Sequence, residues 1–314
     1  MLQVVELLVS VELAIINKCT FSNCAAPKGS IMYTNGGIKG VNISHCTFSD
    51  LNDQQNSSVH LDVDSSARTF VFEYNNFIDL NCVGNYGGSG LHIGTGRDCE
   101  ISSCTFRGNK GEGQIIVPDS SNHKLIFNNC IFEQGNGGSR AIYIKGESSA
   151  EFSSCQFQSF NNINDPTGRG LLVYSVAERK NPLFYNCTFE NVNCVSAFDF
   201  ENCLTIQISD CTFKKVEAKL TGKGAFLFMK KATQFLLSNC NFDSCGSPHG
   251  VNDKPCVGLC ESVETAEIIN CSFINCGRNR KGAAVSTKNV TNILIQNSIF
   301  QQNMASGTKG DTLS

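Results

Sequence analysis

The sequence predicts an all-β chain that folds as a right-handed parallel β-helix, with about eleven coils of 24–32 residues. Three observations predict this fold: one short motif recurs along the chain, apolar and polar residues alternate just before each copy, and a second, glycine-led strand follows many copies. Alternation with period two is typical of half-buried strands, and such short strands bury their apolar faces only when copies stack. We therefore expect one domain over residues 1–314, as a segment of a longer protein.

The recurring motif places a phenylalanine two positions after a cysteine, as in "NCTFENV" at 186–192. The motif phenylalanines are Phe21, Phe48, Phe77, Phe106, Phe132, Phe157, Phe189, Phe213, Phe242, Phe273 and Phe300. Cysteine occupies the earlier position in nine of these eleven copies, and Asn75 and Ser298 replace it in the other two. Residues two apart lie on the same side of a strand. We therefore expect columns of aromatic rings and of free thiols in the core, where free cysteine behaves as a small apolar residue.

The glycine-led strand is clear in "GGSGLHI" (87–93) and "GKGAFLFM" (222–229). Leucine-rich repeats would need a leucine and asparagine spacing that is missing, and propeller blades need about 40 residues or more. The longest gaps between motif phenylalanines predict loop insertions near 160–170 and 246–262. Cys256 and Cys260 lie in the second insertion, outside the motif, and a loop disulfide between them is expected in an oxidising compartment. A disulfide from this loop to Cys245 or Cys276 is the alternative.

The composition argues against nucleic-acid binding and against a membrane-spanning helix. The net charge is −3 and only 17% of residues are charged, so no basic patch indicates nucleic acid. No apolar run reaches the length of a membrane-spanning helix. The opening "MLQVVELLVSVELAII" lacks a basic start and contains Glu6 and Glu12, and we interpret it as the first strands of the fold. We expect no cofactor and no metal ion.

An enzyme on this fold would need carboxylates on one strand face with a basic residue nearby. The best candidates are His60, Asp62 and Asp64 in "SVHLDVD" (58–64), which share one strand face. Asp199 and Glu201 in "FDFEN" (198–202) form a second set. The competing interpretation is that both sets are the solvated outer faces of strands. We favour that interpretation, and "RGNKGEG" (107–113) is interpreted as a turn.

The glycine-led strand in "KGAAV" (281–285) and "KGAFL" (223–227), together with the turn in "FRGN" (106–109) and "FQQN" (300–303), resembles the polymorphic outer-membrane proteins of chlamydiae. It is more similar to the β-helix surface proteins of trichomonad protists. The resemblance spans nearly all of the chain. It implies a pectate-lyase-like β-helix that acts as an adhesin or surface passenger, generally without catalysis, and it carries over no catalytic residue.

The first hypothesis is therefore a noncatalytic, adhesin-like rod, at the cell surface or secreted, that binds a protein or glycan through its side face and loops. The second is a carbohydrate-active enzyme, a polysaccharide lyase or glycoside hydrolase. The third is a cytoplasmic scaffold, favoured if the thiols are reduced. Because β-helix ends leave strand edges unpaired, end-to-end self-association is expected unless the chain is part of a longer protein. Five sequons give weak support to secretion: they begin at Asn42, Asn56, Asn186, Asn270 and Asn289.

Overall fold

The structure, a computed structural model, divides the chain into two compact units, Met1–Cys155 (unit 1) and Gln156–Ser314 (unit 2). Each unit is a stack of short parallel strands. The single domain over 1–314 stays a prediction. The structure describes residues 13–26, 31–35, 38–50, 52–53, 59–62, 70–82, 88–94, 98–110, 113–117, 124–133, 140–144, 148–162, 172–175, 181–194, 197–218, 227–230, 232–246, 256–276 and 284–303. The predicted insertions fall largely on residues 163–170 and 247–255, which lie outside the described residues.

The strands of unit 1 follow one another in a repeating order. They are β1 (Ala14–Asn17), β2 (Thr20–Ser22), β3 (Ala25–Ala26), β4 (Met32–Asn35), β5 (Val41–Ser44), β6 (Thr47–Ser49), β7 (Asn52–Asp53), β8 (Val59–Asp62), β9 (Phe70–Glu73), β10 (Asn76–Ile78), β11 (Asn81–Cys82), β12 (Gly88–Ile93), β13 (Cys99–Ser102), β14 (Thr105–Arg107), β15 (Gly113–Val117), β16 (Lys124–Asn128), β17 (Ile131–Glu133), β18 (Arg140–Ile144) and β19 (Ser149–Ser153).

Unit 2 repeats the same order. Its strands are β20 (Gln156–Gln158), β21 (Asn161–Asn162), β22 (Val173–Ser175), β23 (Leu183–Tyr185), β24 (Thr188–Cys194), β25 (Phe198–Glu201), β26 (Thr205–Ser209), β27 (Thr212–Ala218), β28 (Leu227–Lys230), β29 (Gln234–Ser238), β30 (Asn241–Asp243), β31 (Val257–Ile269), β32 (Ser272–Ile274), β33 (Val285–Gln296) and β34 (Ile299–Gln301).

Each turn starts with a leading strand, such as β5, and continues with a motif strand that carries the motif phenylalanine, such as β6. In several turns a two-residue short strand follows, such as β7, and a closing strand such as β8 completes the turn. Each strand pairs in register with its equivalent one turn away, as β5 does with β9 and β6 with β10. This pairing confirms the predicted parallel β-helix.

The number of complete turns is about seven rather than the predicted eleven. The turns are not equally regular, and the two-residue short strand is the element that varies most from turn to turn. Among the described residues it is formed by β3, β7, β11, β21 and the last residues of β24 and β27. Isolated bridges replace it at Lys110 and Gly246. In the remaining turns the equivalent residues lie outside the described part of the chain.

The motif phenylalanines form the predicted columns. In unit 1 the rings of Phe21, Phe48, Phe77, Phe106 and Phe132 stack with centroids 4.7–5.3 Å apart. In unit 2 the rings of Phe157, Phe189, Phe213, Phe242, Phe273 and Phe300 stack at 4.5–5.0 Å. Nearly all of these rings are fully buried. Burial of large aromatic side chains therefore supplies much of the core in both units.

The position two before the motif phenylalanine needs a side chain that both donates and accepts a hydrogen bond. The Asn75 amide donates to the carbonyl of Ile43 in the preceding turn (2.7 Å) and accepts from the backbone N–H of Cys46 (2.9 Å). Ser298 likewise donates to Ile268 and accepts from the Cys271 N–H. Thiols donate to the preceding turn in the same way from Cys46, Cys104, Cys130, Cys155, Cys240 and Cys271. Cysteine, asparagine and serine are therefore interchangeable here for one physical reason.

A second buried column lies three residues after the motif phenylalanine. The Asn109 amide accepts from the Leu80 N–H (3.0 Å) and donates to the Phe77 carbonyl (3.1 Å). Cys245 and Cys276 occupy the same position in unit 2 and are buried. This position therefore points into the core in the turns that contain these residues.

A left-handed residue joins each leading strand to its motif strand. It lies three positions before the motif phenylalanine, and its φ is between 51° and 56° in every turn. Polar residues such as asparagine tolerate this conformation better than bulky ones. A second left-handed position follows the motif strand, and Gly108 occupies it with a φ of 68°. The prediction of a turn in "RGNKGEG" is confirmed at this residue.

Candidate functional site

The predicted acid–base candidates do not form an exposed catalytic site in the described part of the chain. His60 lies on β8 and is only 5% exposed, and its ring stacks on His92 with centroids 4.0 Å apart. The backbone of Asp62 is in register with Asn35, an amide rather than a second carboxylate. The side chain of Asp62 and the whole of Asp64 lie outside the described residues. The interpretation of His60 as part of a solvated face is wrong, since the ring is covered.

Asp199 is also covered. It lies on β25, is 2% exposed, and is in register with Tyr174 and Phe228 on the adjacent strands. Glu201 is in register with Lys230, and its side chain lies outside the described residues. The residues paired with Asp199 in the strand register are therefore not acidic, whereas glycan cleavage uses a second carboxylate.

Each cysteine whose side chain is described is a free thiol. Burial raises the pKa of Cys104 and Cys203 to about 12, as expected for core thiols. Cys256 is buried as well, whereas the side chain of Cys260 lies outside the described residues. The loop disulfide between Cys256 and Cys260 stays a prediction.

The exposed feature that repeats most regularly in unit 2 is a band of polar side chains, which we call the polar strip. It consists of the residues three and one before the motif phenylalanine in four successive turns: Asn186, Thr188, Asp210, Thr212, Asn239, Asn241, Asn270 and Ser272. Seven are exposed and Ser272 is half-buried. Adjacent turns are spaced by about 4.8 Å, the separation of paired strands. The strip is therefore a regular array of hydroxyl and amide groups with one carboxylate.

Hydrogen bonds between turns order part of the strip. The Asn239 amide nitrogen donates to Asp210 Oδ1 (3.1 Å), and the Asn270 amide nitrogen donates to Asn239 Oδ1 (3.2 Å). Thr188, Thr212 and Asn241 belong to motif strands whose phenylalanines are buried directly beneath. The strip is therefore held on a stiff sheet, which reduces the entropy lost when a ligand binds.

The sequence analysis did not predict this strip, because the motif was defined by its cysteine and phenylalanine and did not include the residue before the cysteine. Its pattern was visible: Asn186, Asp210, Asn239 and Asn270 all immediately precede a cysteine. Asparagine and aspartate are the residue types that tolerate the left-handed bend. The same bend leaves their side chains exposed.

Unit 1 has the same positions with a different chemistry. Its bend residues include His45 and Tyr74, whose rings stack with centroids 4.9 Å apart. Its motif strands expose Asn76 and Thr105 only partly. One hydrogen bond joins bend residues of adjacent turns here as well, from the Asn129 amide nitrogen to Ser103 Oγ (3.3 Å). Asn76 is therefore a structural match for Asn241 outside the polar strip.

Among the described residues, no helix combines the length and apolar character that crossing a bilayer demands. Within the same part of the chain, no three histidine, cysteine or acidic side chains are grouped as a metal site requires.

Comparison with known proteins gives one match. A family model described as "Right handed beta helix region" matches residues 7–157 and 140–311. The two matches together cover nearly the whole chain. No curated protein and no solved structure matches it.

Proposed function

Because the chain belongs to the right-handed β-helix family, we propose that it is a noncatalytic, adhesin-like binding protein whose polar strip binds a glycan. The fold is consistent with a surface or binding role. The likeness to polymorphic outer-membrane proteins and to protist surface proteins supports the same role.

The observation that carries this proposal is the composition of the polar strip. Seven of its eight residues are uncharged, and each of these can both donate and accept hydrogen bonds. Glycan hydroxyls have the same dual capacity. Tyr185, 49% exposed, immediately precedes Asn186 and offers an aromatic face beside the strip. A protein partner would favour a buried apolar centre, and the strip contains no apolar side chain.

The test is a glycan array probed with the full chain produced without glycosylation, followed by calorimetry with the best ligand. We expect a neutral glycan to bind, and Asn241→Ala to weaken binding about tenfold, the equivalent of one good hydrogen bond. Asn76→Ala is the matched control, since Asn76 holds the same motif position in unit 1. Equal effects of the two substitutions, or binding to no glycan, would contradict the proposal.

The same preparation distinguishes the enzyme alternative. We expect polygalacturonate and related glycans to be recovered intact, without new reducing ends or unsaturated products. Release of such products that is abolished by His60→Ala would favour a polysaccharide lyase or glycoside hydrolase instead. Capture of a protein ligand that Asn241→Ala leaves unchanged would move the binding site away from the strip.

We propose a cell-surface or secreted location. Asn289 begins one of the sequons and is exposed on β33, outside the polar strip, which supports access by a glycosylating enzyme. Digestion of the natively produced protein with a peptide N-glycosidase should lower its mass. An unchanged mass together with eighteen free thiols after denaturation would favour the cytoplasmic scaffold.

We also propose self-association through end turns. Ile293, Leu294 and Ile299 are 46–58% exposed on β33 and β34, and Leu13 and Ile15 are exposed beside and on β1. Both turns have the same motif spacing, so one copy could add to another as a further turn. Light scattering should show concentration-dependent oligomers that Ile293→Lys suppresses. A monomer at all concentrations would contradict self-association.

A further inference from the structure

Three thiols meet in the core of unit 2. Cys245 and Cys276 lie three residues after Phe242 and Phe273, whose strands β30 and β32 pair in register. Cys256 immediately precedes β31, whose first residues belong to a closing strand. The three side chains are close enough for each thiol to affect the pKa of the other two. Each residue is at most 2% exposed.

The directions of the three side chains are not equivalent. Cys245 and Cys276 are stacked on equivalent positions of adjacent turns, and their sulfur atoms lie 3.4 Å and 3.6 Å from the equivalent carbonyl oxygens of Phe213 and Phe242. Such neighbours point the same way, which opposes the dihedral angle of about 90° that a disulfide requires. Cys256 lies at the start of a closing strand, so its side chain approaches Cys245 and Cys276 from a different direction. It is therefore the better disulfide partner.

The three thiols also differ in the direction of their pKa shifts. Hydrogen bonds from Cys245 and Cys256 lower the pKa of the Cys276 thiol below its ordinary value, although burial opposes this. Burial raises the pKa of both Cys245 and Cys256. Of the three thiols, Cys276 therefore loses its proton most readily, and the deprotonated form is the nucleophile in thiol chemistry.

We propose that this three-thiol cluster is an oxidation site at which Cys276 and Cys256 form a disulfide when hydrogen peroxide is supplied. The Cys276 thiolate attacks one peroxide oxygen, the O–O bond breaks, and the sulfur becomes a sulfenic acid as hydroxide leaves. The Cys256 sulfur then attacks the Cys276 sulfur, its proton combines with the departing hydroxyl, and water leaves. Overall, two thiols lose two electrons and two protons, and one peroxide is reduced to two waters. Because all three cysteines are buried, the test uses a small oxidant, and glutathione disulfide is too large to reach them.

The experiment maps thiols after oxidation. The reduced full chain is treated with hydrogen peroxide at a few equivalents, denatured, alkylated with N-ethylmaleimide and digested with proteases that cut before aspartate and after glutamate. Cuts at Asp243, Asp253, Glu261 and Glu267 place Cys245, Cys256 and Cys276 on separate peptides. We expect the 253–261 peptide to be linked to the peptide that starts at residue 268. The Cys260→Ser variant should give the same link, which assigns it to Cys256, and Cys271→Ser should give it too, which assigns it to Cys276.

Cys203 is the matched internal control, since it is buried with a raised thiol pKa but has burial as the sole cause of that shift. It should stay alkylated at peroxide doses that convert most of Cys256. In the Cys256→Ser variant the link should vanish and sulfinic acid should accumulate at Cys276. If that variant fails to fold, the wild-type comparison with Cys203 still decides. Equal oxidation of Cys203 and Cys276, a link between Cys256 and Cys260, or full alkylation of Cys256 would each overturn the proposal.

Discussion

Substitution of Phe106 measures how much one ring of the aromatic column contributes to stability. Phe106 is fully buried and stacks on Phe77 (4.8 Å) and Phe132 (5.2 Å). Removal of a buried phenylalanine costs about 3–5 kcal/mol, and each lost stacking contact belongs to a class worth about 0.5–1.5 kcal/mol. Because two stacking contacts are lost, we expect Phe106→Ala to destabilise unit 1 by about 4–5 kcal/mol.

For a domain of about 150 residues, 1 kcal/mol shifts the melting temperature by about 2–4 °C. Calorimetry should therefore show the unit 1 transition lowered by about 8–20 °C. Hydrogen exchange in β10, β14 and β17 should accelerate, since stacked repeats open locally. Phe106→Leu keeps an apolar side chain and should lower the transition less. Thr105→Ala, half-buried on the same strand, should change stability by less than about 0.5 kcal/mol. A loss below about 1 kcal/mol in Phe106→Ala would refute the argument that the column stabilises the fold.

Three further predictions concern buried residues of unit 1. Asn75→Leu should destabilise it by about 2–4 kcal/mol in chemical denaturation, because the two hydrogen bonds of the amide to backbone groups are lost and those groups stay buried. Asn75→Cys, which introduces the usual residue of the repeat, should cost clearly less. The Cys104 pKa is raised to about 12 in the folded state, so the stability contributed by its protonated thiol is fully present below about pH 9 and is lost as the pH rises towards 12. The melting temperature should fall over that pH range, and it should fall less in Cys104→Ser. Gly108→Ala should cost about 1–2 kcal/mol in the same denaturation assay, since its φ is 68° and an added Cβ would meet the Asp79 carboxylate; wild-type stability in this variant would contradict that.

Periodicity in the sequence was enough to predict the parallel β-helix and the phenylalanine columns. The repeat spacing predicts that Phe106 and Phe132 are neighbours in the core, because each motif strand pairs in register with the next. Asn75 seemed an exception to the cysteine pattern. The structure shows that it preserves the hydrogen-bonding role of that position, which depends on the backbone of an adjacent turn. A single strand's pattern cannot reveal such a partner.

The candidate site was less predictable. Alternation in "SVHLDVD" correctly places Leu61 and His60 on opposite faces of the strand. It does not show whether other residues cover the face that carries His60, and His60 is buried. The convergence of Cys256 with Cys245 and Cys276 depends on where the chain re-enters the stack after the second insertion. The prediction of an alternative disulfide to Cys245 or Cys276 came close to this cluster.

The strict register of the motif strands has a consequence for how such a chain can change in length. Deleting one residue between Cys104 and Phe106 would invert the inward and outward faces of β14, and every later pairing in that turn would be disrupted. Removing the whole segment from 77 to 105 would instead bring Phe48 next to Phe106 with all columns aligned. Genetic gain or loss should therefore proceed by whole turns, and sequences of this kind should differ in size by steps of one repeat.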